Sequence, residues 1–132
     1  MSYFAKVHPV TGRVLNVILA EQSVIDEFPD SEFWLETSRY TRGGVLYDST
    51  TRQPAADQSG ALRYNFASTG GYYNQEDDAF YAEKDFPSWV LNKNTYTWEA
   101  PLTKPDGAYR WDEDAYQTDN TTGWVAIVME GE

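Results

Sequence analysis

Cysteine is absent from these 132 residues, which removes disulfides, thiolate nucleophiles and sulfur-ligated zinc together. A small chain without such links must gain stability from aromatic packing or from assembly with other chains. Histidine occurs once, at His8, where the following Pro9 biases it to extended backbone. With no partner evident in the sequence, it makes a poor general base. Positive charge is scarce too: ten Lys and Arg stand against 21 Asp and Glu, a net charge of -11. Such a surface repels phosphate backbones, so nucleic acid is not an expected partner. No apolar run approaches the roughly 20 residues of a membrane-crossing helix, and the first residues show no basic segment followed by an apolar one. The expectation is synthesis in the cytoplasm without a secretion signal, and no membrane insertion.

What the chain does have is aromatic side chains, which make up 16% of it, with five Trp and ten Tyr. Acidity combined with few aromatics points to disorder; this composition points to a folded domain. The aromatics fall into a phrase written three times. Tyr73-Asn74-Gln75-Glu76-Asp77-Asp78-Ala79-Phe80 is followed by Leu91-Asn92-Lys93-Asn94-Thr95-Tyr96-Thr97-Trp98, then by Trp111-Asp112-Glu113-Asp114-Ala115-Tyr116 running on to Trp124. Short β-prone flanks around an Asn- or Asp-rich cluster predict hairpins, the third carrying a longer loop at its tip. Isolated hairpins are marginal in water, so Tyr73, Phe80, Trp89, Trp98, Trp111 and Trp124 are expected to share one core.

Ahead of these phrases, residues 3–20 read as a hairpin: an alternating run to His8, a turn at Pro9-Val10-Thr11-Gly12, then the β-branched stretch Val14 to Ala20. Phe4 and Val7 do not share a strict alternation phase, as either a bulge or an edge position would explain. Val24, Ile25 and Phe28 lie at helical spacing and predict one short helix over 21–28, stopped by Pro29. A further turn near Ser31 leads to a strand over 33–37. Residues 39–71 are the least regular part, with Gly43-Gly44 and a long stretch of loop composition. A phosphate-cradling loop needs a lysine or a helix after its glycines, and neither follows here. Arg39, Arg42, Arg52 and Arg63 gather in this region, placed to meet the acidic hairpins or a partner. The fold class expected is therefore mainly β, small all-β or α+β, with an N-terminal β-hairpin and a short helix before a meander of three aromatic β-hairpins. Its parts divide at 1–71 and 72–132, or form one compact domain.

Glu76-Asp77-Asp78 and Asp112-Glu113-Asp114 lack the glycine turn and closing bidentate acid of a calcium loop, so turn tips explain them better and no metal site is assigned. A glycosidase needs only a carboxylate pair, but no local motif marks one among 21 acids. No catalytic residue and no cofactor is assigned, and the chain is read as a non-enzyme.

Several stretches resemble a family of small proteins encoded by tailed bacteriophages, especially those of marine cyanobacteria. They are Phe4-Ala5-Lys6-Val7 with Val14 to Ala20, Thr41-Arg42-Gly43-Gly44-Val45, Ala61-Leu62-Arg63, Trp98-Glu99-Ala100-Pro101 and, most specific, Phe86-Pro87-Ser88-Trp89-Val90-Leu91-Asn92. The chain departs from the family pattern in its long loop before Trp124. The resemblance implies phage origin and association with the virion; it implies no activity. The first functional expectation is thus a non-enzymatic virion protein, a head decoration, tail or baseplate component, docked in symmetric copies against other phage virion proteins. The second is a carbohydrate-binding module whose tryptophans stack on host glycans, and the third a small hydrolase or host-takeover protein. Trp89, Trp98, Trp111, Trp124, Arg42 and Arg63 are the candidate binding residues.

Overall fold

A computed structural model describes residues 1–128. The protein is mainly β, with eleven short strands and two short α-helices among the described residues. The chain folds as two compact units, one made of 1–83 and 92–97, the other of 84–91 and 98 onward.

The first unit is built on a three-stranded antiparallel sheet of order β2-β1-β3, from β1 (Ser2–Val7), β2 (Val14–Ala20) and β3 (Trp34–Thr37). β1 and β2 are the expected hairpin. Val7 pairs with Val14 but Lys6 pairs with Asn16, so Leu15 is an extra residue that forms a bulge. The bulge lies in β2 and leaves the alternation of β1 intact, so Phe4 and Val7, three residues apart, face opposite sides of β1. Ala5, Val7 and Val14 reach one core with Ala67 and Phe80, while Val17, Leu35 and Tyr73 pack against it. Phe4, on the opposite face of β1 from Ala5, is buried as well, so the central strand is covered on both sides. The helix α1 (Gln22–Asp26) buries Ile25, and a 3-10 turn at Ser31–Phe33 delivers the chain to β3.

Residues 39–71 hold more order than their composition suggests. β4 (Thr41–Arg42) and β5 (Val45–Leu46) form a tight hairpin closed by Gly43 and Gly44, both with positive φ, at 60° and 85°. Two left-handed central residues make the type I′ turn, whose twist matches that of the flanking strands. The hairpin of β6 (Tyr72–Asn74) and β7 (Ala79–Tyr81) also belongs to this unit, in the register Tyr73 opposite Phe80. Its tip is organised by Asn74, whose side chain accepts from the Asp77 N–H, and is closed by Asp78 at φ 53°.

The second phrase folds in the same way. β8 (Val90–Asn92) and β9 (Thr97–Glu99) pair, Asn92 accepts from the Asn94 N–H, and Tyr96 closes the turn at φ 56°. Thus the repeat of Asn followed by four turn residues is a repeat of backbone geometry. The third phrase departs from it. β10 (Tyr109–Trp111) pairs with β11 (Trp124–Ala126), and the connection contains a second helix, α2 (Glu113–Thr118), where the sequence predicts only a long loop. The reason is local: Asp112 adopts an extended conformation and accepts from the Ala115 N–H at 3.0 Å, the signature of an N-cap, with Glu113 and Asp114 in the favoured first turn. The six aromatics expected to share one core also divide. Tyr73 and Phe80 pack in the first unit, whereas Trp89, Trp98, Trp111 and Trp124 lie in the second.

Candidate functional site

Three of the four candidate tryptophans meet in the second unit. The rings of Trp111 and Trp124 stand edge to face at 5.1 Å, and Trp89 approaches Trp111 at 6.2 Å and Trp124 at 6.3 Å. Trp111 is 6% exposed, while Trp89 and Trp124 are half-buried, so the cluster is packed ring against ring and not laid out as a flat row. Edge-on contact of this kind is the favoured packing of aromatic quadrupoles. Trp124 donates its indole N–H to the Leu102 carbonyl, and Trp111 donates to Glu113 Oε1 at 3.0 Å. The buried Trp89 indole N–H has no partner among the described residues. Trp98 is half-buried with the Lys84 ammonium 5.5 Å from its ring centre, a cation-π contact.

Glu113 ties this cluster to the chain around it. Its carboxylate accepts from the Ser88 hydroxyl at 2.6 Å, from Trp111, and from the Gln117 amide at 2.6 Å. The Ser88 bond first, then those of Gln117 and Trp111, hold its pKa down to about 2, because each donor stabilises the ionised form. The second acidic phrase is therefore a helix cap and a hydrogen-bond hub.

The arginine group of residues 39–63 divides in two. Arg63 turns inward: its Nε bonds Asp78 Oδ1 at 3.0 Å and its Nη1 donates to the Glu36 carbonyl at 2.8 Å, joining β3 to the β6–β7 turn. Arg63 and Tyr64 both have positive φ, 54° and 69°, conformations that cost non-glycine residues energy and persist only where the surroundings hold them. Here the Arg63 carbonyl accepts from the Phe80 N–H at 2.9 Å, and the Tyr64 carbonyl from the Gly44 N–H at 2.8 Å. Arg63 is thus a structural brace, as the acidic-hairpin alternative predicts.

Arg42 belongs to a different setting. With Arg39 and Arg52 it lines a cleft of about 400 Å³, together with Tyr40, Thr41, Tyr47, Asp48, Asn65 and Phe66. The β4–β5 hairpin supplies Arg42, which lies over the Tyr47 ring at 5.1 Å, and Arg39 lies over Tyr40 at 5.4 Å. Arg52 comes from a loop organised by Asp48. The Asp48 carboxylate accepts the Thr50 and Thr51 N–H groups, and Arg52 at φ 63° donates its own N–H to the Asp48 carbonyl. The bonds from Thr51 and then Thr50 keep the Asp48 carboxyl below its ordinary pKa. Asn65 forms the floor of the arrangement: it accepts from the Gly43 N–H and donates to the Phe80, Thr95 and Tyr96 carbonyls.

Two surfaces of the N-terminal sheet complete the candidates. β2 lies at the sheet edge, and among the described residues no strand pairs with its outer side beyond Val14. Leu15 and Leu19 on this strand are 45% and 51% exposed, and Val24 of α1 is exposed as well. A larger cleft, about 490 Å³, is lined by the β1–β2 turn with Glu32, Phe33, Leu35, Tyr73 and Gln75. His8 borders it, but His8 Nδ1 accepts from the Val10 and Thr11 N–H groups, so that lone pair shapes the turn.

No family, no curated protein and no solved structure matches the chain. Among the described residues no helix is long and apolar enough to cross a membrane. Sequence reasoning grouped Arg52 with Arg42 without naming it a binding residue, and it missed Thr41 and Tyr47 as neighbours of Arg42. The Gly43-Gly44 pair before Val45-Leu46 carried the signal, since adjacent glycines between strand-prone residues mark a two-residue hairpin.

Proposed function

We propose that this protein is a non-enzymatic component of a bacteriophage particle, and that it works by docking onto a neighbouring virion protein. The observation that carries the docking part is the outer edge of β2, which beyond Val14 pairs with no strand among the described residues and where Leu15 and Leu19 are exposed, the Val17 N–H being accepted by Asn16 Oδ1. An open edge of this sort is a template for strand addition, and natural proteins usually blunt such edges with charge, bulges or a covering element. The bulge at Leu15 bends the start of this edge, but no charged side chain interrupts it between Leu15 and Leu19. The occupant is a virion protein that offers a strand edge within a positively charged surface, because eleven net negative charges favour encounter with that sign and oppose approach of further copies through charged faces.

The phage part of the reading rests on the sequence resemblance, above all on the phrase around Pro87-Ser88-Trp89. That phrase lies in the second unit, where Ser88 and Trp89 contribute to the hydrogen-bond hub and the ring cluster. Packing of Trp89, Trp111 and Trp124 against one another favours docking over glycan recognition, for which a flat exposed row is the better platform. The test is mass spectrometry of purified particles together with capture of the purified protein by particles that lack it. The expected result is presence in the particle and binding that Leu15→Lys with Leu19→Lys abolishes.

A further inference from the structure

Six arginines occur in the chain, and four basic side chains, Lys6, Arg13, Arg63 and Arg110, form ion pairs. The three arginines in no ion pair among the described residues, Arg39, Arg42 and Arg52, are the three that line the 400 Å³ cleft. In a protein with twice as many acids as bases this is a pointed arrangement, because like charges gathered in one concavity repel unless an anion joins them. Against them stands one carboxylate, Asp48, whose oxygen is already occupied by backbone N–H groups of its own loop. Two positive charges remain uncompensated.

We propose that this cleft binds the phosphate monoester group of a small organic ligand. A phosphate monoester carries close to two negative charges at neutral pH, the charge the cleft leaves unmatched, and offers oxygens that guanidinium forks bind in pairs. Arg42 and Arg52 are the primary contacts. Tyr47 and Tyr40 hold the Arg42 and Arg39 guanidiniums by cation-π contact, which limits the ordering cost on binding. With Phe66 these rings give the cleft an apolar wall, and its volume falls in the range of small-molecule sites, so the ligand has an organic body as well as the phosphate. The site differs from nucleic-acid binding, which the overall acidity opposes: a single small anion enters a local cationic pocket where a polyanion meets the whole surface. This inference stands apart from docking through β2.

The experiment is calorimetric titration of the full chain, at fixed ionic strength, with inorganic phosphate, glucose 6-phosphate, adenosine 5′-monophosphate and acetate. Saturable binding of at least one organic phosphate, tighter than inorganic phosphate and with acetate inert, is the expected result. A preference for the nucleotide identifies stacking on the tyrosines, and a preference for the sugar phosphate identifies a polar body; either supports the site. Arg42→Gln and Arg52→Gln should each weaken binding roughly 10- to 100-fold, and Arg110→Gln should leave it unchanged. The proposal is overturned if no phosphate binds saturably, if acetate binds as well as the phosphates, or if folded Arg42→Gln binds like the unaltered chain.

Discussion

Arg63 Nε and Asp78 Oδ1 are 3.0 Å apart, and through them the loop before β6 is fastened to the turn after it. Asp78 also accepts from the Tyr73 hydroxyl at 2.6 Å, so one carboxylate at a left-handed turn position serves two donors. The phenol of Tyr73 is pushed above its usual pKa, first by burial and then by the Asp78 bond, and so remains a donor through the neutral range. Replacing Arg63 removes the ion pair and the bond to the Glu36 carbonyl together. Arg63→Ala should cost about 1 to 3 kcal/mol, read from the denaturant midpoint at constant m. Arg63→Lys should recover part of that cost, since an ammonium cannot make both contacts through one planar fork.

How much of this was legible in sequence depends on the kind of signal. The N-terminal hairpin and the first two phrases were readable because β-branched alternation and Asn-led turns are local; Asn74 and Asn92 bond to backbone only two or three residues away. The helix α2 was hidden by the expectation of a longer loop at the tip of the third phrase, although Asp112 followed by two acids is itself a helix-start signal. Which arginine would be a brace and which would line a cleft was not readable. That division rests on contacts 15 residues apart, Arg63 with Asp78, and 27 apart, Arg63 with the Glu36 carbonyl. Composition gathers such charges without pairing them.

In the second unit, Gly123 is the position where the Trp111 ring leaves no room. A Cβ built on Gly123 would overlap the edge of that ring, and the Gly123 carbonyl accepts from the Asp112 N–H at 2.7 Å, so the backbone is not free to retreat. Gly123→Ala should destabilise by about 1 to 3 kcal/mol through overpacking. Trp111→Ala should cost more, about 3 to 5 kcal/mol, by leaving a cavity between Trp89, Trp124 and Tyr116. Near-ultraviolet circular dichroism during chemical unfolding distinguishes the two, because only the second removes a ring from the coupled cluster.

Glu113 makes stability depend on pH in the acid range. Its folded pKa, about 2, lies below the ordinary 4.5, so the unfolded chain takes up its proton first as pH falls. The contribution is therefore complete above about pH 5 and is lost as pH drops from the unfolded value toward the folded one. Glu113→Gln should flatten this part of the stability profile while changing little of its shape above pH 5. Thermal melts of both proteins between pH 2.5 and 7 check the sign.

The Asn65 amide is the most heavily shared side chain of the first unit. Its Nδ2 meets three carbonyls within 3.2 Å and its Oδ1 takes the Gly43 N–H. Asn65→Ala strands these partly buried groups and should cost about 1 to 3 kcal/mol or more, with amide exchange at Gly43 accelerated ahead of exchange in β1. Equal acceleration at both positions would show that Asn65 supports the whole unit and not the Gly43-Gly44 turn in particular.

Docking through the β2 edge is tested most directly by capture of the purified protein on particles that lack it, measured across a range of salt. Exposed charges are screened beyond about 10 Å at 0.1 M ionic strength, so the rate of capture should fall as salt rises. Once formed, the attachment should resist salt, because an apolar strand edge holds it. Leu15→Lys with Leu19→Lys should leave the fold intact, since both side chains are already exposed, and should abolish retention. The account predicts salt-sensitive capture, salt-resistant retention and complete loss in the double variant. It is contradicted if the protein binds at no ionic strength and is also missing from natural particles, or if the folded double variant is retained as well as the unaltered chain.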